Sequence, residues 1–430
     1  MPEASVEPVE DFRSRLRVWL ADNLPRAERP GNGMAMSQGR QTDDEELAEV
    51  AHHRDLQRRL FDGGFAGICF PTEYGGQGLT PAHQQALNEE IWPYEYPSRF
   101  QVPTLQPCAT LVLDYGTEEQ KREHLPAILR GDEIWMQLLS EPTGGSDVAG
   151  AQTTAVRDGD EWVLNGSKIW TTGAWWADWG LILARTNWDV PKHRGLTVFM
   201  LRLHQPSIEV HRIEMLNGSR EFCQEFLTDV RVPDTDRVGD VDLGWTVGTR
   251  WMFYEKSFGM SFLTTRPTPP PGVDAGGGFR AGSGGPAYVQ AARRAGRLDD
   301  TATRELIGEA HALSLASSEG YARVGKAIAT GKLSDQAAGL MKIIGGTLGI
   351  RQSNIALQLT GPSAAAWTEE NKVAGERGTA FLVRQAGQMA GGTLEMARNV
   401  VSERLLGMPR EVTVDREVPF RDVPRGPSAH

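Results

Sequence analysis

Residues 135–147 read WMQLLSEPTGGSD, and the hydrophobic pattern of the chain changes at this stretch. In the preceding third, apolar residues recur at the spacing of amphipathic helices. The first such stripe consists of Phe12, Leu16, Trp19 and Leu20. After Trp135 the apolar residues alternate over short runs separated by turn residues, which is typical of β-strands. Helical spacing returns after Gly244, so the order along the chain is α, then β, then α.

This order divides the 430 residues into three expected domains. We expect an N-terminal helical domain at 1–134, a central β domain at 135–240, a C-terminal helical domain at 241–412 and a tail at 413–430. Within the β domain, Asp158-Gly159-Asp160 predicts a hairpin turn, and Asn165-Gly166 predicts another turn. A Pro- and Gly-rich stretch at about 266–286 has no apolar face to bury, so it predicts a flexible loop in the C-terminal domain.

The composition argues against several classes of function. The formal net charge is −11, from 45 basic and 56 acidic residues, and no Lys/Arg-rich run occurs, which argues against nucleic acid as the main partner. The three cysteines are far apart and form no C-x-x-C pair, so the sequence supports no disulfide framework and no metal site. The acidic N-terminus lacks a signal-peptide pattern, and no apolar run of about 18 residues occurs. These features predict a cytoplasmic protein without a membrane span.

Two short segments carry residues suited to holding a cofactor. In the first, Ser140 and Ser146 flank a Pro-fixed turn with Gly144-Gly145, where hydroxyls and freed backbone N–H groups can bind carbonyls and phosphates. The same pattern also fits a polar loop that joins a helix to a sheet. In the second, Trp170 could lie against a planar ring while the Thr172 hydroxyl reaches the ring edge. A tryptophan packed in the core of the β domain is the alternative.

Together these segments point to a known family. Leu139-Ser140-Glu141-Pro142-x-x-Gly145-Ser146-Asp147, followed by Asn165-Gly166-x-Lys168-x-Trp170-x-Thr172, resembles the flavin-binding signature of acyl-CoA dehydrogenases, particularly their actinobacterial-type members. Near the end of the chain, Gly391-Gly392-Thr393-Leu394-Glu395 resembles the C-terminal motif of the same family. The resemblance covers nearly the whole chain apart from the Pro/Gly loop.

The resemblance implies an α+β fold that binds FAD between its last two domains. That fold has an N-terminal α-helical domain, a central β-barrel or sandwich and a C-terminal four-helix bundle. Carried over by position, the residues implied to contact FAD are Gln137, Leu139, Ser140, Gly145, Ser146, Trp170, Thr172, Thr393 and Glu395. In this assignment Trp170 stacks near the isoalloxazine, Thr172 binds its edge, and Ser146 lies near the cofactor phosphates or the pantetheine of the substrate.

The implied reaction is α,β-dehydrogenation of an acyl-CoA thioester, with a carboxylate as base and hydride passing to flavin N5. In the commoner arrangement of the family, the base directly precedes the Gly-Thr of the C-terminal motif, but here that position is Gly391. In the other arrangement the base projects from a helix at the start of the C-terminal domain, and an ungapped match places Glu255 there. The alternative is a solvated helix glutamate. Lys256 stands where many relatives carry an Arg near the ligand, and it could hold CoA or be a surface lysine.

The implied partners are an acyl-CoA substrate and an electron-transfer flavoprotein or similar acceptor. The family's Arg-x-x-Phe-Gly motif, whose Arg reaches the FAD of a neighbouring subunit, is missing after Met260. We therefore expect an oligomer that is either homomeric or heteromeric. Two alternatives to an active dehydrogenase are a catalytically weak partner subunit of a heteromeric acyl-CoA dehydrogenase and a flavin oxidase or monooxygenase of the same fold.

Overall fold

The computed structural model describes residues 6–27, 41–256, 262–270, 284–366, 372–413 and 415–424. Its N-terminal helices are α1 (Val9–Asn23), α2 (Asp43–Asp62), α3 (Pro81–Glu90), the short α4 (Ser98–Phe100), α5 (Thr110–Tyr115) and α6 (Glu118–Arg130), with a π-helical stretch at Gln101–Ala109 between α4 and α5. Phe12, Leu16 and Leu20 of the predicted stripe are buried against apolar residues of α2 and α3. The amphipathic pattern of α1 therefore sets how this domain packs.

The central part is a β-sheet domain, as predicted. Its strands are β1 (Trp135–Leu138), β2 (Thr154–Asp158), β3 (Glu161–Thr172), β4 (Trp179–Arg185), β5 (Leu196–Arg202), β6 (Ile208–Ile213), β7 (Phe222–Pro233) and β8 (Arg237–Val238). Within the described residues they form one sheet in the order β6-β7-β3-β2-β4-β5-β8, and β1 pairs in parallel with β4. The predicted hairpin is the β2–β3 pair, in which Asp158 lies opposite Glu161.

Strand β4 separates two apolar cores. Leu181 and Leu183 lie in the core that includes Cys108 and Trp251 of the helical segments. Ile182 and Ala184 point the other way, because successive side chains of a strand alternate between faces, and they lie in a core with residues of β3 and β7. The sheet thus packs against helices on one face and against its own outer strands on the other.

The last part of the chain is helical. Its helices are α7 (Gly244–Lys256), α8 (Gly284–Arg294), α9 (Thr301–Ala329), α10 (Ala338–Thr360), α11 (Lys372–Val383), α12 (Ala386–Met389) and α13 (Leu394–Val400). Tyr288, Ala310 and Ile355 belong to a buried core that joins α8, α9 and α10. Among the described helices, none combines the length and apolar character needed to cross a lipid bilayer.

Two details of the sequence-based expectations differ from the structure. Asn165-Gly166 is not a turn: both residues lie inside β3, where a register shift between Leu164 and Gly166 marks a bulge against β7. Pairing with strands on both sides overrides the local turn preference of this dipeptide. In addition, α8 begins at Gly284, inside the stretch expected to be a loop up to residue 286. Residues 271–283 of that stretch lie outside the described part of the chain.

Candidate active site

A buried ion pair anchors the loop that joins β1 to β2. The Lys168 ammonium lies 2.8 Å from a carboxylate oxygen of Glu141 and donates to the Leu139 carbonyl at 3.3 Å. Glu141 also accepts the backbone N–H groups of Gln152 at 2.6 Å and Thr153 at 3.0 Å. Burial alone would raise the pKa of Glu141, but the charge of Lys168 and these donors lower it below its usual value. The pair closes residues 139–153 into a fixed loop, hereafter the cofactor loop.

A second buried carboxyl group lies near the same lysine. The Thr171 hydroxyl donates to Glu225 at 2.8 Å, and Glu225 has no exposed surface. Burial raises the pKa of Glu225 to about 8, although Thr171 and Lys168 act in the opposite direction. One lysine therefore faces two carboxyl groups, and Glu225 is the one that keeps its proton at neutral pH.

Trp170 is held out from the sheet by backbone geometry. It has a φ of 68°, and the β3–β7 register shifts between Ile169 and Thr171, so it occupies a bulge. Its side chain is 51% exposed, and its indole meets the Phe222 ring edge-on at 5.9 Å. A left-handed conformation is strained for a residue with a side chain, and such strain clusters at functional sites. Trp170 thus presents an aromatic face, whereas the sequence alone left a core position open.

The cofactor loop brings other predicted residues close to this strand. The Ser140 carbonyl accepts the N–H of Ile169 at 3.0 Å, which joins the loop to the strand that carries Trp170 and Thr172. A Cβ atom added at Gly145 would lie only 3.3 Å from the Ser140 hydroxyl. Ser146 is exposed in the adjoining turn. Ser140, Gly145 and Ser146 therefore form one open cradle beside the bulge.

Gln137 and Leu139 extend this cradle toward the helices. Leu139 packs against the helix-side core, to which Trp135 also belongs. Strand alternation places Gln137 on the same face of β1 as Trp135. Its side-chain oxygen is buried and has no hydrogen-bond partner among the described residues. A buried carbonyl without a partner requires a donor, and such a group is a mark of a binding site.

The predicted base lies beside the C-terminal motif. Glu255 is on α7, and a Cβ atom added at Gly391 would lie 3.5 Å from its Oε1 atom. Glu255 is half-buried, and burial together with its negative charge raises the pKa of the buried Cys108 thiol. Gly391 has a φ of 68°, which favours glycine. The carboxylate therefore occupies the space next to the position from which the other arrangement of the family would project its base.

The two remaining predicted cofactor contacts lie on α13. The Thr393 hydroxyl accepts the N–H of Met396 at 3.2 Å and caps the helix. The Glu395 side chain is 76% exposed and lies 3.6 Å from Arg398. Both side chains thus contact residues of their own helix. The Lys256 side chain lies outside the described part of the structure, so its predicted role is not tested.

Sequence reasoning quoted Glu141 and Lys168 within the motif but gave them no role. A lysine between apolar strand residues, with a glutamate beside the predicted cradle, was the available signal, because buried charges must be paired. The partners themselves are set by three-dimensional packing.

Comparisons with known proteins define the class to which this fold and site belong. Residues 37–132 match the family model described as acyl-CoA dehydrogenase, N-terminal domain, and residues 137–230 match the acyl-CoA dehydrogenase, middle domain. The solved structure titled "Tcur3481-Tcur3483 steroid ACAD" superposes with a TM-score of 0.71 at 28% identity, covering 94% of this chain and 99% of that chain. The class is that of flavin-dependent dehydrogenases built from helical, sheet and helical domains.

Curated relatives make the assignment more specific. The acyl-CoA dehydrogenase IpdE1 of Mycolicibacterium smegmatis is 31% identical over 415 residues, covering 94% of this chain and 99% of the relative. The acyl-CoA dehydrogenase FadE34 of Mycobacterium tuberculosis is 31% identical over 370 residues, covering 85% of this chain and 48% of the relative. This chain belongs to the acyl-CoA dehydrogenase family, whose members are FAD-dependent oxidoreductases.

The described residues fit that cofactor. An exposed indole offers a face for a planar ring, and the unpartnered Gln137 oxygen can accept from a ring N–H. The Gly144-Gly145 turn leaves room for a phosphate beside the Ser146 hydroxyl, because a Cβ atom at Gly144 would meet nothing within 4 Å.

Proposed function

We propose that this chain catalyses FAD-dependent α,β-dehydrogenation of an acyl-CoA thioester, with Glu255 as the base that removes the α proton. The observation that carries the proposal is the 3.5 Å approach of Glu255 Oε1 to the Cβ position of Gly391. By resemblance, that position holds the catalytic glutamate of other family members. A carboxylate therefore stands beside it although the C-terminal motif lacks one.

The residues of the chain divide the work as follows. Bound FAD would supply the acceptor, at flavin N5, for the hydride that leaves the β carbon. The Glu255 carboxylate takes the α proton, and its half-buried position on α7 limits access of water to it. Trp170 and Thr172 would orient the flavin ring, while Ser140 and Gln137 would bind its polar edge. Ser146 would bind phosphate or pantetheine, and Thr393 and Glu395 would approach from α13.

The direct test replaces Glu255 by Gln, which keeps the size of the side chain but removes its basicity. We expect turnover of an acyl-CoA to fall by about 10²- to 10⁴-fold, with the absorbance of bound oxidised flavin unchanged. Glu319→Gln is the matched control, because Glu319 lies on the surface of α9 in a 3.8 Å ion pair with Arg323. Turnover of Glu255→Gln equal to that of Glu319→Gln would refute the assignment of the base.

A second candidate is a subunit of a heteromeric acyl-CoA dehydrogenase. Two observations favour it: the base position of the C-terminal motif is a glycine, and the superposed steroid dehydrogenase is titled by two components. Purification of this chain alone separates the candidates. A colourless, inactive protein that gains flavin and turnover only with a second chain indicates the heteromer. Flavin reduction screened against short-chain, branched, long-chain and steroid-side-chain CoA esters then identifies the substrate class.

A further inference from the structure

The C-terminal segment 415–424 returns to the β domain and packs against it. The Phe420 N–H donates to the Val190 carbonyl at 2.9 Å, and the Arg421 N–H donates to the Trp188 carbonyl at 3.1 Å. The Phe420 ring stacks on the Trp188 ring at 5.4 Å with 26° between their planes, and Phe420 is only 3% exposed. The sequence-based expectation of a plain tail after residue 412 gave no reason for this contact.

The residue beneath Phe420 is an arginine that holds the cofactor loop. Arg185, the last residue of β4, has no exposed surface. Its guanidinium donates to the carbonyls of Ala149 at 2.6 Å, Ala151 at 3.0 Å and Lys192 at 3.2 Å. The guanidinium carbon lies 3.7 Å from the centre of the Phe420 ring. The aromatic ring therefore shields from water a cation whose donors fix residues 149–151.

A second contact connects the same two segments. The Lys192 ammonium lies 3.0 Å from the carboxylate of Asp147, next to Ser146, and 3.7 Å from that of Asp415. One lysine thus contacts both the cofactor loop and the C-terminal segment. Buried charge-assisted hydrogen bonds and cation–π contacts are stronger when water is excluded, so the Phe420 contact strengthens the others.

We propose that segment 415–424 is a positioning clamp for the cofactor loop, with Phe420 acting through Arg185. This inference rests on the proposed function, which assigns Ser140 and Ser146 of that loop to FAD and acyl-CoA. The clamp and the Glu141–Lys168 pair hold opposite ends of the loop. Without the Phe420 ring, water reaches Arg185, its bonds to the Ala149 and Ala151 carbonyls weaken, and Ser146 loses its fixed position.

The test compares Phe420→Leu with Phe420→Tyr and Asp422→Asn. The leucine keeps an apolar group at the buried site but removes the aromatic face, the tyrosine keeps that face, and Asp422 is an exposed residue of the same turn. We expect Phe420→Leu to weaken FAD binding by apoprotein about tenfold, as measured by flavin fluorescence titration, and to raise KM for the CoA ester with kcat unchanged. Phe420→Tyr should restore both values, and Asp422→Asn should match the wild type.

Hydrogen exchange separates failure of the clamp from failure of the proposed function, since it needs neither flavin nor turnover. In the apoprotein, the amides of residues 149–151 should exchange faster in Phe420→Leu than in the wild type, while the amides of α9 remain unchanged. Equal exchange at residues 149–151, or equal FAD affinity of Phe420→Leu and Asp422→Asn, would overturn the clamp. If Phe420→Leu does not fold, a chain ending at residue 413 must show the same local loss of protection, and normal protection there would also overturn it.

Discussion

The candidate site has two halves that are built differently. In the β domain, Glu141, Lys168 and Glu225 are buried together, and their contacts bridge the cofactor loop and two strands of the sheet. Around α13, the polar groups of Thr393 and Glu395 contact only residues of the same helix, and Met389 just before it is 62% exposed. The β half is therefore fixed by long-range burial, whereas the α13 half depends on local helix geometry. Substitutions in the first half should destabilise the fold, and substitutions in the second should change it little.

The largest expected difference comes from the two ion pairs. Lys168→Met leaves the Glu141 carboxylate buried without its partner, which costs about 3–5 kcal/mol of the free energy of unfolding. Arg398→Gln removes the exposed partner of Glu395 on α13 and should cost about 0–1 kcal/mol. Urea unfolding of both variants measures the difference. Similar losses in the two variants would break the comparison between the halves.

The second prediction concerns the pH dependence of the β half. A carboxyl group titrates near pH 4.3 in an unfolded chain, whereas burial raises the pKa of Glu225 to about 8. Between these values the folded state binds more protons than the unfolded state, so the contribution of Glu225 to stability falls as the pH rises. The slope is at most about 1.4 kcal/mol per pH unit.

Glu225→Gln should remove this slope, because the amide mimics the protonated carboxyl and does not titrate. The measurement is the urea midpoint of wild type and variant at pH values from 5 to 8. Glu209→Gln serves as the control, since its side chain is 74% exposed on β6. An undiminished slope in Glu225→Gln would show that Glu225 is already ionised in the fold.

The smallest effect is expected at the cap of α13. Thr393→Ala removes the acceptor for the Met396 N–H and should cost about 1 kcal/mol. Thr393→Asp keeps an acceptor at the cap and should restore most of that stability. Thermal unfolding of the two variants measures the difference. A loss in Thr393→Ala as large as that in Lys168→Met would mean that the α13 half is also fixed by long-range contacts.

Local patterns were enough to predict the order of domains, the hairpin at Asp158-Gly159-Asp160 and the strands that carry Ser140 and Trp170. They failed at Asn165-Gly166, because pairing of β3 with β2 and β7 decides the conformation of this dipeptide. There Gly166 is needed for another reason, since an added Cβ atom would lie 2.7 Å from Thr153. The glycine permits close packing of two strands.

The remaining parts of the site depend on contacts between distant segments. Nothing in the local sequence indicates that the ring of Phe420 covers Arg185, or that the bulge turns Trp170 outward. Similarly, the resemblance suggested Glu255 as a base, but only the folded chain shows its distance from the backbone of Gly391. Periodicity predicts which face of an element is buried, whereas the partner across that face is set by the tertiary fold.

The proximity of Glu255 to Gly391 bears on how such enzymes are recognised and how they diverge. Selection acts on the point in space that an acidic group fills, and two unrelated stretches of backbone reach that point here. A survey that scores aligned columns for a conserved glutamate would class this chain as inert, whereas a survey of superposed coordinates would retain it. Evolution can thus relocate the acidic group between helices while the chemistry of the pocket is preserved.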